Sequence, residues 1–469
     1  MYTLPKDTKI DNQILNDVIK YNEKYKDRLK RLFNYYIGKH DICERQKEET
    51  SINNKVMINH AKYITDTNIG YLLGNPVDYQ VGTDDNGKPL YDIQPILDAY
   101  KKQTINDLDT EIAKNVSIYG YQYEYVYANE DSEPRSCKID NDNAIIVYDD
   151  TVEHNKLFGL IYREIKEGET FKYYEIIYLD DKEEIHYKST DKTLDIVGEK
   201  KPHAFGKVPL IEYKNNPEFL GDFEPVMSLI DAYNILQSDR VNDKEQLVDA
   251  ILCMYGFDFD DEQADQLKQS RMLANIPADG RAEYLVKQLN ENEVDVLRKT
   301  LETDIHKISM VPNMSDVNFV GNSSGVAIRY KLLAFEQNIK NKERYFEKGL
   351  MERFELYNNF LMTMSKMQEV PIEEVDAVFK RNLPSNDFEI SQMINNLVDV
   401  LPAETLISQL SFVKDASEEV ELKKQEDEAK PKDPYDLAFA NNQIGDANNE
   451  ENTSEDMENN KMDTDSTVN

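Results

Sequence analysis

The chain has 469 residues, of which 90 are Asp or Glu and 55 are Lys or Arg, for a formal net charge of −35. Lys and Arg give affinity for a nucleic acid backbone by displacing counterions, so this balance excludes a protein that grips phosphates with its whole surface. Apolar residues make up 40%, enough for a core, yet no window of about 18 apolar residues offers a membrane span and the N-terminus lacks an apolar signal core. Length suggests about three domains. Cys43, Cys137 and Cys253 form no CxxC and leave an odd count, which argues against a disulfide framework and fits a reducing compartment.

The first pattern is helical. Ile14, Leu15, Val18, Ile19, Leu29, Leu32, Phe33 and Tyr36 recur near three- and four-residue spacing, with Asp11 placed to cap the start and Gly38 just past the end. A second helix is predicted over residues 54–73, where Met57, Ala61, Ile64, Asn68 and Leu72 share a face and Gly74 and Pro76 end it. Residues 77–81 and 90–93 flank Asp84-Asp85-Asn86-Gly87 and read as a hairpin. Helices over 95–102 and 106–119 follow. Tyr121, Tyr123, Tyr125 and Tyr127 alternate with Gln122, Glu124 and Val126, the period of a strand with a tyrosine face. Further strands are predicted over 144–148, 158–165, 171–179 and 184–188, so residues 75–215 are β-rich with embedded helices.

After Gly221 the pattern changes to a long helix over 224–252, apolar at its ends and polar with mixed charge over 238–246. Residues 257–259 read as a short strand, Asp260 or Asp261 caps a short helix to 273, and 275–276 and 282–285 look extended. A helix over 291–309 carries Val294, Leu297, Leu301, Ile305 and Ile308 on one stripe. Two helices thus bracket a small α/β insert. Pro312 breaks the second, and residues 311–325 form a loop rich in Asn, Ser and Gly. A third long helix covers 326–364, an extended stretch 372–379 follows, and helical segments cover 390–401 and 404–412. Residues 430–469 hold ten acids, three Lys and eight Asn, too few apolar groups to offset ordering entropy, so disorder is predicted there.

Enzymatic motifs are few. Gly321-Asn322-Ser323-Ser324-Gly325 is a GxSxG, but a hydrolase of that kind needs a histidine after the serine, and the last one is His306. A serine hydrolase using Ser323 is the enzyme alternative; a plain loop explains the string without catalysis. There is no GxxxxGK[ST] and no GxGxxG, and no two histidines stand three or four apart, so neither an NTPase motor nor a metal centre is expected. Acid pairs such as Asp149/Asp150 or Asp258/Asp260 arise readily in so acidic a chain, and Asp260 and Asp261 read better as helix caps. The tyrosine ladder lacks the basic groove of a base-stacking platform and reads as a packed sheet face. The charged middle of the 224–252 helix is either a solvated face or a surface packed beside copies of itself.

Specific strings now carry a resemblance. They are Tyr71-Leu72-Leu73-Gly74-Asn75-Pro76, then Lys207-Val208-Pro209-Leu210-Ile211-Glu212-Tyr213-Lys214-Asn215-Asn216, then Gly221-Asp222-Phe223-Glu224 running into Leu229-Ile230-Asp231-Ala232-Tyr233-Asn234. Ser238, Asn242 and Asp243 follow, then Asp316 through Gly325 with a helix behind. In this order and spacing, over about residues 50–365, the chain resembles portal proteins of tailed bacteriophages, of the type found in long-tailed phages of Gram-positive hosts.

The resemblance implies an α+β subunit that assembles as a ring of about twelve copies at one capsid vertex, with double-stranded DNA passing through its axis. It implies an α/β wing over 1–220, a first stem helix over 221–254, a clip over 255–290, a second stem helix over 291–311, a tunnel loop over 312–325, a long channel-adjacent helix over 326–368, a mostly helical crown over 369–420, and an acidic tail over 421–469. Implied partners are the terminase, the head–tail connector, and the major capsid and scaffolding proteins, with no membrane and no cofactor. The implied location is the virion, with the host cytoplasm during assembly. Candidate DNA-facing residues are Asn313, Ser315, Asp316, Asn318, Asn322 and Ser323, with no Lys or Arg between Lys307 and Arg329. Arg240, Lys244, Arg298 and Lys299 are stem candidates for channel or inter-subunit contacts, and Asp258, Asp260, Asp261, Arg271 and Arg281 are clip candidates for motor docking. An acidic adaptor that binds only proteins is the remaining alternative.

Overall fold

The computed structural model describes residues 1–429 except 49–50, 85–87, 191, 249–250, 256–279, 286–290, 316–324, 382–386, 411–412 and 414–415. The chain forms two units, Met1–Leu383 and Pro384–Asn469. In the first unit, strand β1 (Tyr2–Leu4) leads into α1 (Asn12–Glu23) and α2 (Lys26–Tyr36). The predicted single run is two helices broken at Lys24–Tyr25. Asp11 accepts from the Ile14 N–H at 2.9 Å, as a cap should. Gly38, at φ +87°, supplies the left-handed turn after α2.

Helix α3 (His60–Leu72) starts six residues later than predicted, and residues 54–59 carry no helix. β2 (Asp78–Val81), α4 (Gln94–Lys102) and α5 (Ile105–Tyr119) follow. The expected hairpin is reduced to an antiparallel bridge, Thr83 opposite Pro89, with the Leu90 N–H on the Gly82 carbonyl at 2.8 Å. β2 pairs instead with a strand from the far end of the unit, and residues 90–93 make no strand.

Then come β3 (Tyr121–Ala128), β4 (Pro134–Ile139), β5 (Ala144–Asp149), β6 (Lys156–Glu167), β7 (Thr170–Leu179), β8 (Glu183–Ser189), β9 (Leu194–Ile196), β10 (Lys201–Pro202) and β11 (Leu210–Lys214). One sheet runs β1-β5-β6-β7-β8-β10, with β9 on β8; β1 is parallel to β5 and the other pairs are antiparallel. A second, antiparallel sheet runs β11-β3-β4. Helix α1 packs Leu15, Val18 and Ile19 on one face of the larger sheet. Tyr121 and Tyr123 pack with Ile146, Tyr148 and Leu210 between the sheets, as a packed tyrosine face requires.

Helix α6 (Met227–Val248), preceded by a 3-10 turn at Glu224–Val226, ends earlier than predicted. Ile251 and Leu252 belong to β12 (Ile251–Tyr255), which pairs with β13 (Arg281–Leu285). The predicted elements between Phe257 and Ile276 lie outside the described residues. Helix α7 (Glu291–Ser309) matches its predicted bounds, and α8 (Gly325–Thr363) spans about 58 Å at 1.5 Å per residue. β14 (Val375–Val378) closes on β2.

The second unit contains α9 (Asp387–Leu397), α10 (Ala403–Ile407) and α11 (Ala416–Ala429). The last of these runs through the first nine residues of the expected disordered tail: a run of good helix formers, Glu, Leu, Lys, Gln and Ala, with no Gly or Pro, holds the helix. Residues 430–469 lie outside the described ones.

The largest core cluster of the first unit is built on α8. Phe346, Leu350, Phe354 and Tyr357 meet Ile96, Ile112, Val126 and Tyr213. Within this apolar body Arg353 is fully buried. Its Nε donates to Glu124 Oε1 at 2.7 Å, and its Nη2 lies 2.9 Å from Glu124 Oε2 and 2.6 Å from Asp109 Oδ1. The Tyr213 hydroxyl donates to Glu124 at 2.6 Å. Gly349 makes room for that tyrosine, since a Cβ there would sit 2.3 Å from the ring. Burial pushes the Asp109 carboxyl up, and the Arg353 guanidinium opposes the shift. Removing the one cation strands two buried acids. Arg353→Met should therefore cost about 3–5 kcal/mol in a denaturant titration, against less than about 0.5 kcal/mol for the exposed Lys340→Met.

Candidate functional site

The site is built around α6, whose middle predicted polar. One row of it, Asn234, Ser238 and Asn242, is buried. These residues stand four apart, hence about 6 Å apart along a helix. Against them lies the extended stretch 54–58, in which alternate residues repeat about every 6.6 Å. The two repeats match closely enough to form a ladder. The Asn54 N–H donates to Asn242 Oδ1 at 2.7 Å, Val56 N–H to Ser238 Oγ at 2.9 Å, and Ile58 N–H to Asn234 Oδ1 at 2.9 Å. This is why residues 54–58 are not helical: the alternate amides of Asn54, Val56 and Ile58 are already taken by α6. Asn59 then caps α3, accepting from the Lys62 N–H at 2.9 Å.

The ladder is braced at both ends. Asn234 donates to His40 Nδ1 at 2.9 Å, and His40 Nε2 lies 2.9 Å from the Tyr35 carbonyl. With Asn234 donating to Nδ1, the His40 proton falls on Nε2 toward the Tyr35 carbonyl; burial lowers the pKa, and the Tyr35 carbonyl opposes that shift. Lower down, Asp239 pairs with Arg45 at 2.9 Å and Lys47 at 3.2 Å, and Glu245 accepts from Asn54 at 2.5 Å. One face of the polar stretch is thus occupied by the chain's own N-terminal segment. Ser238→Ala would leave the Val56 N–H without a partner. A loss of about 1–3 kcal/mol in the unfolding free energy is expected.

Helix α7 lies antiparallel beside α6. Lys244 pairs with Glu291, while Ile305 reaches the core formed with Phe223, Val226 and Ile230. The predicted single stripe on α7 divides: Ile305 is buried, but Leu297 and Ile308 are about half exposed at 49% and 51%. Of the four candidate cations Arg240, Lys244, Arg298 and Lys299, three have acid partners on α7. Arg298 pairs with Asp295 and Glu302, Lys299 with Asp295, and Lys244 with Glu291. Arg240 is half-buried and lines a shallow groove with Asp239, Asp243 and Glu291. Arg281 opens β13 opposite Tyr255. Asp258, Asp260, Asp261 and Arg271 lie outside the described residues, as do Asp316, Asn318, Asn322 and Ser323.

The loop after α7 begins at the described residues 311–315. Asn313 donates to Glu302 Oε1 at 3.0 Å, and the Ser315 N–H donates to Asn313 Oδ1 at 3.0 Å. Among the described residues no group of three or more His, Cys, Asp or Glu is placed to hold a metal ion, and no helix is long and apolar enough to cross a membrane.

Among the described residues, α6, the β12–β13 pair, α7 and α8 stand in this order along the chain. Comparison with known families decides what that order means. The family described as "Phage portal protein, SPP1 Gp6-like" matches residues 15–432. The chain belongs to this family of phage portal proteins. The portal protein of Bacillus phage SPP1 is 25% identical over 419 residues, covering 82% of this chain and 81% of that protein. The portal protein of Clostridium phage phiCD119 is 21% identical over 227 residues, covering 47% of this chain and 49% of that protein.

The residues of the portal chain that sequence reasoning missed include His60, at the start of α3. It is buried against Tyr233 and His306, with ring centroids 5.0 and 5.9 Å away. Its Nε2 has no hydrogen-bond partner among the described residues. Burial, then the proximity of His306, lowers its pKa from 6.5 to about 4; Glu302 opposes the shift and His40 adds to it. Between these values the unfolded chain binds more protons than the folded one, so stability falls as pH drops below 6.5 and levels off below about 4. The loss should approach about 3 kcal/mol at 1.36 kcal/mol per unit. His60→Leu should flatten the dependence of the unfolding midpoint on pH between 7 and 5, measured against the wild type.

Proposed function

We propose that this portal chain assembles into a ring of about twelve subunits at a capsid vertex and forms the conduit through which double-stranded DNA enters and leaves the head. The family match across residues 15–432 carries this reading. In it, residues 1–220 form the wing, α6 and α7 the stem, 255–290 the clip that docks the terminase and later the head–tail connector, and 311–325 the loop facing DNA. Residues 369–420 form the crown, which together with the wing meets capsid and scaffolding proteins. The terminase hydrolyses ATP, and the portal itself carries out no catalysis.

Surface chemistry supports the assembly. Large apolar side chains stand exposed on the stem and on the start of α8: Val296 at 65%, Leu297 at 49% and Tyr330 at 75%. Helices of a lone subunit seldom present such a series to water, and a neighbouring copy would cover it. Charge supports the conduit. DNA held by many phosphate contacts would not slide, and the loop between Lys307 and Arg329 supplies no cation to hold it.

Electron micrographs of the purified chain should show rings with about twelve-fold symmetry. A strict monomer at high concentration in several buffers would contradict the proposal. Val296→Asp with Leu297→Asp should shift the population from rings to monomers by light scattering, with the circular dichroism of the subunit unchanged. Rings that persist in the double variant would show that this face is not the interface.

A further inference from the structure

The root of the loop that follows α7 is fastened by groups to which the proposed function assigns no task. We propose that Tyr63 is a positioning residue whose hydroxyl latches this root to α3 and so fixes where the DNA-facing loop begins. The proposal rests on the reading of 311–325 as that loop.

The geometry is specific. The Tyr63 hydroxyl donates to the Pro312 carbonyl at 2.8 Å and accepts from the Met314 N–H at 3.0 Å. A phenol has one proton to give and can also accept, so a single oxygen clips two backbone groups of opposite kind. Pro312 has no N–H, so its carbonyl is the only backbone hydrogen-bonding group it offers. From the other side, His306 Nδ1 lies 2.9 Å from the Val311 carbonyl, Glu302 accepts from Asn313 at 3.0 Å, and the Val311 N–H reaches Ser309 Oγ at 3.4 Å. The Tyr63 and His306 rings meet edge to face at 5.5 Å, so the two anchors brace each other.

The turn into this clasp also costs energy. Met310 sits at φ +58°, in the left-handed region that side chains disfavour. Such a conformation persists where its surroundings over-determine it. Four consecutive residues, 311–314, are each tied to α3 or α7. A single hydroxyl therefore joins a wing helix to the loop while α7 holds the opposite side. Freed of it, the loop root beyond the buried Val311 would keep only its hydrogen bond to Glu302 of α7 among the bonds described.

Tyr63→Phe tests the latch, because it deletes the hydroxyl and keeps the ring against His306. In the full-length chain, hydrogen exchange at the Met314 amide should accelerate about tenfold or more, the factor expected for losing one hydrogen bond of about 1.4 kcal/mol. The circular dichroism spectrum should stay as in the wild type, and packaging of DNA into reconstituted heads should fall at least about threefold, a modest share of that factor. Unchanged exchange at Met314 would overturn the latch. Faster exchange with undiminished packaging would overturn its positioning role. If the wild-type chain forms no ring, the proposed function fails separately, and the exchange measurement still decides whether the latch exists.

Discussion

An extended backbone has to bring its amides into a protein interior with every one of them satisfied, and that constraint organises this subunit. Residues 54–58 meet it by laying alternate N–H groups on Asn242, Ser238 and Asn234 of α6. The match works because two residues of extended chain and four residues of helix advance by nearly the same length. The packing of α3 beside α6 follows from that placement. Helix α3 can begin only where the ladder stops, at Asn59. The start of α3 then delivers His60 to the gap beside His306 and Tyr63 to the loop root.

Other polar joints, buried or half-buried, brace the first unit. Asp222 receives Asn68 at 2.7 Å, Ser117 at 2.6 Å and Asn215 at 2.7 Å, and pairs with Lys342 of α8. Glu224 takes both Arg28 Nε at 2.7 Å and Arg28 Nη2 at 2.5 Å. Arg353 bridges Glu124 of β3 and Asp109 of α5. Each joint links elements distant in sequence, and each gains directionality that apolar packing lacks.

How much of this was legible in the sequence depends on the range of the interaction. Alternation within one strand is local, and β5, β6, β7 and β8 appear close to where period two puts them. Helices α4, α5, α7 and α8 likewise carry their own spacing and stops. The misreadings share a distant partner. β2 takes β14 in place of the nearby residues 90–93, a pairing across about 300 residues that no local window contains. Residues 54–59 have a helical spacing of apolar groups, but amides claimed by α6 override it. Glu124 alternates like a solvent-facing residue and is in fact fully buried, because α8 brings a guanidinium to it. The strings that carried the family resemblance include Asn215, Asp222, Glu224, Asn234, Ser238 and Asn242, and these are the joint residues. Their spacing marked the family before their contacts could be seen. Of the candidate site, the described cations Lys244, Arg298 and Lys299 stand in ion pairs with stem acids, which pattern alone left open.

The central claim is that α6 holds the 54–58 segment by an alternating ladder. Residue-resolved hydrogen exchange of that segment tests it most directly. The amides of Asn54, Val56 and Ile58 should exchange slowly, and those of Lys55 and Met57 at rates near those of an open chain. Uniformly fast exchange across the five residues, or protection without alternation, would contradict the account.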